Sequence, residues 1–149
     1  MNFDIRLTPP TERDFIRLRA SENWGDITQT QARGAIDKAL FWASLHLDDN
    51  CIGFGRIIGD GVLNFYIQDV IVDKAFRGRG GGEMIMQALM TWARRHAKGG
   101  TIGLLSVAGK EDFYKRFGFT ERPQGHYGAG MMCIISAVSY THLTLPTKA

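Results

Sequence analysis

Asp69-Val-Ile-Val-Asp-Lys-Ala-Phe-Arg-Gly-Arg-Gly-Gly-Gly-Glu83 is the stretch on which the fold turns. The β-branched run Val70, Ile71, Val72 reads as a buried strand. Glu83 to Ala97 carries helical periodicity, and Arg77-Gly-Arg-Gly-Gly-Gly82 lies between the two. A glycine-rich turn at a helix start presents bare backbone N–H groups and the positive end of the helix dipole, which together form a site for phosphate. Gly78, Gly80 and Gly82 have no Cβ, so the backbone can close on phosphate oxygens.

Two familiar phosphate loops do not fit. A P-loop needs Lys-Ser or Lys-Thr after the glycines, and a dinucleotide fingerprint needs a third glycine where Glu83 stands. What remains is Arg-x-x-Gly-x-Gly, as Arg77, Gly80 and Gly82. This resembles the pyrophosphate-binding motif of the GNAT family of N-acetyltransferases. A second match lies downstream: Asp112-Phe-Tyr-Lys-Arg-Phe-Gly-Phe119 resembles the family's Phe/Leu-Tyr-x-x-x-Gly-Phe signature.

The resemblance implies an α/β fold of the α+β kind: a central mixed, mostly antiparallel twisted sheet flanked by helices, with a splayed parallel strand pair at the cofactor notch. It implies acetyl-CoA as co-substrate, with its pyrophosphate on the backbone from Arg77 through Gly78, Arg79, Gly80 and Gly81 to Gly82. Arg77 and Arg79 add charge there, although Arg79 reads equally as a solvated surface residue. Gly81 stands where relatives commonly carry an aliphatic residue, and an extra glycine costs a helix start on the order of 1 kcal/mol. The strand edge Val70, Ile71, Val72 would pair with the pantetheine arm and offer a backbone N–H to the acetyl carbonyl. Tyr114 would protonate the departing thiolate, or else pack as a core tyrosine beside Phe113, Phe117 and Phe119. Many members carry an asparagine before that tyrosine where this chain has Val107. Ser106 or Lys110 is then left to take its place, Lys110 by reaching a phosphate of the cofactor.

The incoming ammonium must lose a proton before it attacks, and no histidine is obviously placed to take it. Asp69 and Gln68, at the start of the cofactor-facing strand, are better situated, and a carboxylate there could act through ordered water. Asp69 could instead orient the amine as a counter-charge or serve the structure. Trp24 offers an aromatic face for an aliphatic chain or a cation, or packs over the helix pair. Glu22 and Asp26 flank it. Phe65 and Tyr66 alternate across a strand, which puts one of them, assigned as Tyr66, at the cleft. His126 lies in the loop Pro123-Gln-Gly-His-Tyr-Gly128, a second candidate wall for the acceptor. Together these favour slightly a small amine, polyamine or aminoglycoside-like acceptor over an acidic one. A non-catalytic acetyl-CoA sensor and a protein lysine or N-terminal acetyltransferase are the competing functions.

The rest of the chain is consistent with one domain over residues 1–136. The 149 residues are 44% hydrophobic, enough for a sizeable core, and the net charge of +3 comes from scattered Lys and Arg. That argues against nucleic acid and suits an anionic cofactor. The two cysteines have no disulfide or metal spacing, and no apolar run is long enough to span a membrane, which leaves the cytoplasm as the default location. Strands are expected at Phe3–Leu7, Phe41–Leu47, Cys51–Ile58, Val62–Val72 and Thr101–Val107, with a closing strand within Gly130–Ser136. Helices are expected after Thr11 and Thr28, with Thr11 and Thr28 as caps. Val138 to Thr147 resembles a translated sequencing adapter, so residues 137–149 are assigned as a non-native tail. The resemblance also implies a homodimer as a frequent assembly.

Overall fold

The structure, a computed structural model, describes residues 2–136, so the tail assigned as non-native lies outside the described residues. Of the described residues, those up to 119 form one compact unit and those from 120 belong to a second. In chain order the first unit contains β1 (Phe3–Arg6), α1 (Glu12–Ala20), α2 (Gln29–Lys38), β2 (Phe41–Leu47), β3 (Asn50–Gly59) and β4 (Asn64–Val72). A 3₁₀ turn (Lys74–Phe76), α3 (Gly81–His96), β5 (Thr101–Gly103) and α4 (Glu111–Lys115) complete it. The five strands lie in the order β1-β2-β3-β4-β5, antiparallel except for the parallel pair β4-β5.

The helix starts follow from capping. The Thr11 side chain accepts from the Asp14 N–H, and Thr28 forms a reciprocal capping box with Gln31. Each face of the sheet is covered by helix. On one side α3 buries Ile85, Met86, Leu89 and Ala93 against Ala43, Leu45, Ile57, Phe65 and Ile67. On the other, Phe15 and Leu18 of α1 and Ala32 of α2 pack on Trp42, Cys51, Phe54 and Ile71. Two glycines let α3 sit close to the sheet. A Cβ at Gly55 would come within 2.8 Å of Ile85 Cγ2, and one at Gly53 within 3.4 Å of Ile85 Cδ1 and 2.6 Å of the Ile71 carbonyl oxygen on β4.

The turn into β4 is set by Gly59 and Asp60. Gly59 has φ +146°, and a Cβ there would lie 2.0 Å from the Asn64 oxygen. Asp60 Oδ1 accepts from the N–H groups of Val62, Leu63 and Asn64, bonds that hold its carboxyl well below the usual carboxylate range. These bonds bend Val62 and Leu63 into the turn, so β4 begins at Asn64 and not at Val62.

Two expectations are corrected. β5 ends at Gly103 instead of Val107, because the chain leaves β4 after three paired residues. Residues 130–136 form no strand. Met131-Met-Cys-Ile-Ile135 is apolar at consecutive positions and lacks the alternation that would commit one face and one register. In the second unit the described structure is a small turn in which Gln124 and Tyr127 pair backbone to backbone. Among the described residues no helix is long and apolar enough to cross a membrane.

Candidate functional site

β4 is paired with β5 only through Asn64, Phe65 and Tyr66. From Ile67 to Val72 its outer edge has no neighbouring strand among the described residues, which opens the notch. A bulge lies in the same half: Phe54 faces Ile71 and Arg56 faces Gln68, so Asp69 and Val70 together stand opposite Gly55 alone. Asp69 has φ +60°, a left-handed conformation that Asp tolerates better than most residues. The extra residue moves the strand's pattern to the other face. Before the bulge, Phe65 and Ile67 join the α3 core; after it, Ile71 joins the α1/α2 core while Val70 and Val72 pack towards α3. The bulge disrupts the ladder and releases backbone groups beside the open edge.

Beyond β4 the chain reaches the glycine loop. Gly78 (φ +78°) and Gly80 (φ +83°) are left-handed with open space around them, so conformation and not crowding selects glycine. Gly80 caps α3 without a side-chain hydrogen bond, and the first bond of the helix is Met84 N–H to the Gly80 carbonyl. The N–H groups of Gly81, Gly82 and Glu83 are therefore outside the intrahelical ladder, at the positive end of a 16-residue helix. Gly81 is buried, and a Cβ there would stand 2.6 Å from Leu45 Cδ2, so its glycine seats the helix start against β2. Arg77 turns away from the loop: its Nε donates to the Val72 carbonyl and its Nη2 to Glu22. Arg79 is exposed on the loop itself.

α4 is docked on that same helix start. A Cβ on Gly82 would lie in ordinary contact with Phe113, 3.4 Å from its Cζ, and Arg116 pairs with Glu83 at 2.9 Å. Tyr114 follows Phe113, edge-on to it with ring centroids 5.0 Å apart, and is half-buried. Burial moves its phenol above the ordinary tyrosine value. Lys110 is exposed at the N-terminus of α4, and Val107 before it is exposed as well. Tyr66 lies on the face opposite Phe65 and leans over Gly103, and burial pushes its phenol up too, with the Leu105 backbone offsetting part of that.

Asp69 faces α1 and α2, and its surroundings change its reading. Arg19 Nη1 donates to Oδ1 at 2.6 Å and Gln68 Nε2 to the same oxygen at 3.2 Å. Arg56 holds Oδ2 through Nε and Nη2, both at 3.0 Å. Three hydrogen bonds and the second Arg56 ion-pair contact engage both carboxylate oxygens, and the side chain has 0% exposure. The carboxylate is shut off from solvent and engaged on both oxygens, so an incoming amine has no direct approach to it. The carboxylate is the centre of a clamp that ties the bulge to β3 and α1.

Around the clamp are aromatic faces. The Arg19 guanidinium lies 5.7 Å from the Phe15 ring and 5.6 Å from the Trp24 ring; Arg56 lies 5.5 Å from Phe15 and 5.7 Å from Trp42. Trp24 is 37% exposed, so it both packs on Arg19 and shows a face to solvent. Glu22, expected beside a cationic acceptor, is already paired with Arg77. His126 belongs to the second unit, exposed and stacked on Tyr127 at 4.1 Å. Sequence reasoning missed Arg19, Arg56 and the bulge. The available signals were an arginine one helical turn after Phe15 and an aspartate that interrupts an apolar strand.

Comparison with known proteins bears on this arrangement. The sequence model of the Acetyltransferase (GNAT) family matches residues 8–119. An uncharacterized N-acetyltransferase, ycf52, of Gracilaria tenuistipitata var. liui is 32% identical over 119 residues, 77% of this chain and 65% of that protein. A chloroplastic GNAT protein of Arabidopsis thaliana is 35% identical over 91 residues, 60% of this chain and 45% of that one. The chain thus spans about half to two thirds of the length of these curated relatives. Among solved structures, a probable acetyltransferase of unknown function from meticillin-resistant Staphylococcus aureus superposes with a TM-score of 0.80 at 28% identity, covering 90% of this chain and 100% of that one. Glucosamine-6-phosphate N-acetyltransferase from Arabidopsis thaliana shares the fold at 18% identity, with a TM-score of 0.68 and coverage of 91% and 100%.

Proposed function

Because the chain belongs to the GNAT family of acetyltransferases, we propose that it moves an acetyl group from acetyl-CoA to a primary amine of a small molecule by direct attack. One observation carries the reading. The glycine loop at the start of α3, the open edge of β4 and the Tyr114 helix are joined in one place, with Phe113 on Gly82 and Arg116 on Glu83.

In this proposal the N–H groups from Gly78 to Glu83 hold the cofactor's pyrophosphate, with Arg79 and Lys110 as nearby charges. The edge Val70, Ile71, Val72 pairs with the pantetheine arm, and a main-chain N–H released by the bulge polarises the acetyl carbonyl as the amine adds to its carbon. When the carbon–sulfur bond breaks, the electron pair stays on sulfur and the Tyr114 hydroxyl supplies the proton. Its raised pKa keeps that hydroxyl protonated at neutral pH. The amine's own proton leaves to water, since Asp69 is buried and held by Arg19, Arg56 and Gln68. Arg77 acts as a brace between β4 and Glu22.

The test is thiol release from acetyl-CoA with a panel of amino acids, amino sugars, polyamines and lysine peptides, on wild type and Tyr114→Phe. Amine-dependent release that falls roughly a hundredfold in the variant is expected. Cofactor binding without release from any amine would replace this reading with a sensing module. Release with peptides alone would move the acceptor to protein.

A further inference from the structure

We propose that the acceptor amine carries an anionic group, carboxylate or phosphate, and that Arg19 holds it. The inference rests on the acetyl-transfer reading above and names the acceptor class of that same site.

Arg19 is the observation. Its Nη1 is spent on Asp69. Its Nε is buried without a hydrogen-bond partner, and its Nη2 makes no hydrogen bond among the described residues. Nε–H and Nη2–H run parallel on one edge of a guanidinium, and that edge is the fork that grips a carboxylate or phosphate with two bonds. The rings of Phe15 and Trp24 lie against the group, which favours a cation there and limits the ways it can turn. A buried N–H left without a partner costs free energy that a bound anion would recover.

The position is equally specific. Arg19 bonds to the bulge residue itself, so an anion on its unpartnered edge would sit beside the strand where the acetyl carbonyl is proposed to be polarised. An amine a few bonds from that anion would be within reach of the carbonyl. The neighbouring charges do not occupy the fork. Asp69 is on the other edge, Glu22 is paired with Arg77, and Asp26 in the adjoining loop makes no ion pair among the described residues. Each nitrogen of Arg56 is engaged, by Asp69 or by the Ala35 carbonyl. Arg17, two residues along and so on another side of α1, pairs with Asp14 and Asp73. Arg56 and Arg77 are thus engaged by Asp69 and Glu22, and the unspent donors of this cluster are those on the Nε–Nη2 edge of Arg19. This reverses the slight preference for cationic acceptors drawn from Trp24 and Glu22.

The test uses four small amines of similar length on the full chain: β-alanine, phosphoethanolamine, ethanolamine and putrescine. The kcat/KM of β-alanine or phosphoethanolamine should exceed those of the other two by about tenfold or more, and which of the pair leads tells carboxylate from phosphate. Arg19→Lys keeps a cation for Asp69 and removes the fork. It should lower that anionic preference at least about tenfold, mainly through KM. Preference for putrescine or ethanolamine, or a preference that survives in Arg19→Lys, overturns the proposal. A second arm needs no turnover: calorimetric binding of the same four compounds with CoA present. Binding of the anionic pair lost in Arg19→Lys supports the proposal even if no amine is acetylated, which would count against the transfer reading alone. Equal binding in both proteins overturns it. If Arg19→Lys does not fold, the wild-type ranking of the four amines still decides.

Discussion

Phe65 and Tyr66 lie in the same strand as Ile71 and Val72, yet the first two are paired on both sides and the last two on one. The change comes at Asp69, where one inserted residue moves the strand's alternation to the other face and β5 has already departed. In the closed half the backbone is used up by neighbours and the side chains make core. In the open half the backbone is available, and the strand runs on into the glycine loop. An open edge thus need not belong to a separate strand: the end of a core strand is left unpaired where β5 departs, and one extra residue changes which face its side chains take. What keeps that costly irregularity in place is the clamp of Arg19, Arg56 and Gln68 on the Asp69 carboxylate.

The largest effect is expected from removing the clamp's centre. In Asp69→Ala two guanidiniums, 15% and 13% exposed, would face each other with no anion between them. Removing one partner of a buried ion pair costs about 3–5 kcal/mol. Urea unfolding should show a loss of that size, with acetyl transfer lost in whatever protein remains folded. A loss below about 1 kcal/mol, the range of exposed pairs, would mean that the bulge is held by packing and that the clamp is incidental.

Much of this was legible beforehand, for reasons that can be named. The caps at Thr11 and Thr28, the apolar strand run Val70 to Val72, and the glycine loop entering α3 are local chemistry, written in adjacent residues. The alternation of Phe65 and Tyr66 was read correctly for the same reason. The bulge was not legible, because its cause is distributed: Asp69 on β4, Arg56 on β3, Arg19 on α1 and the absent Cβ of Gly55. Glu22 looked like a free carboxylate because its partner, Arg77, is distant in sequence and was itself assigned to phosphate. Gly81 looked superfluous until Leu45 was found against it. Contacts between elements decide these roles, and no window along the chain contains them.

A smaller effect is expected from the chemistry of the open half. If Tyr114 supplies the proton to the thiolate, activity requires its neutral phenol. Burial favours the neutral form and sets the pKa above the ordinary value of about 10. The sign follows: kcat should hold as pH rises through 8 and 9, with any alkaline limb due to this group falling beyond about 10. The limb should vanish in Tyr114→Phe. A limb near neutrality that disappears in the variant would require a lowered pKa and a different environment for the ring. The same shift makes the folded state the tighter proton binder. Its contribution to stability is fully present below about 10 and is lost as pH rises through the folded value.

The smallest effects come from two glycines two residues apart, and they should point in opposite directions. Gly80 has φ +83° in open space, so Gly80→Ala meets no clash but must hold a left-handed conformation, at about 1–2 kcal/mol. Gly82 lies in the first turn of α3 with ordinary helical conformation, and a methyl there would touch Phe113 at 3.4 Å. On propensity alone Gly82→Ala should therefore stabilise the fold, by up to about 1 kcal/mol. Yet its methyl group would crowd the N–H groups proposed to hold the pyrophosphate. Thermal unfolding and acetyl-CoA binding, measured together, separate the two demands. Gly80→Ala should lower both stability and affinity, whereas Gly82→Ala should raise stability and lower affinity. Unchanged affinity in Gly82→Ala would show that the glycines serve only the turn, and the open half of β4 would then need another explanation for where it leads.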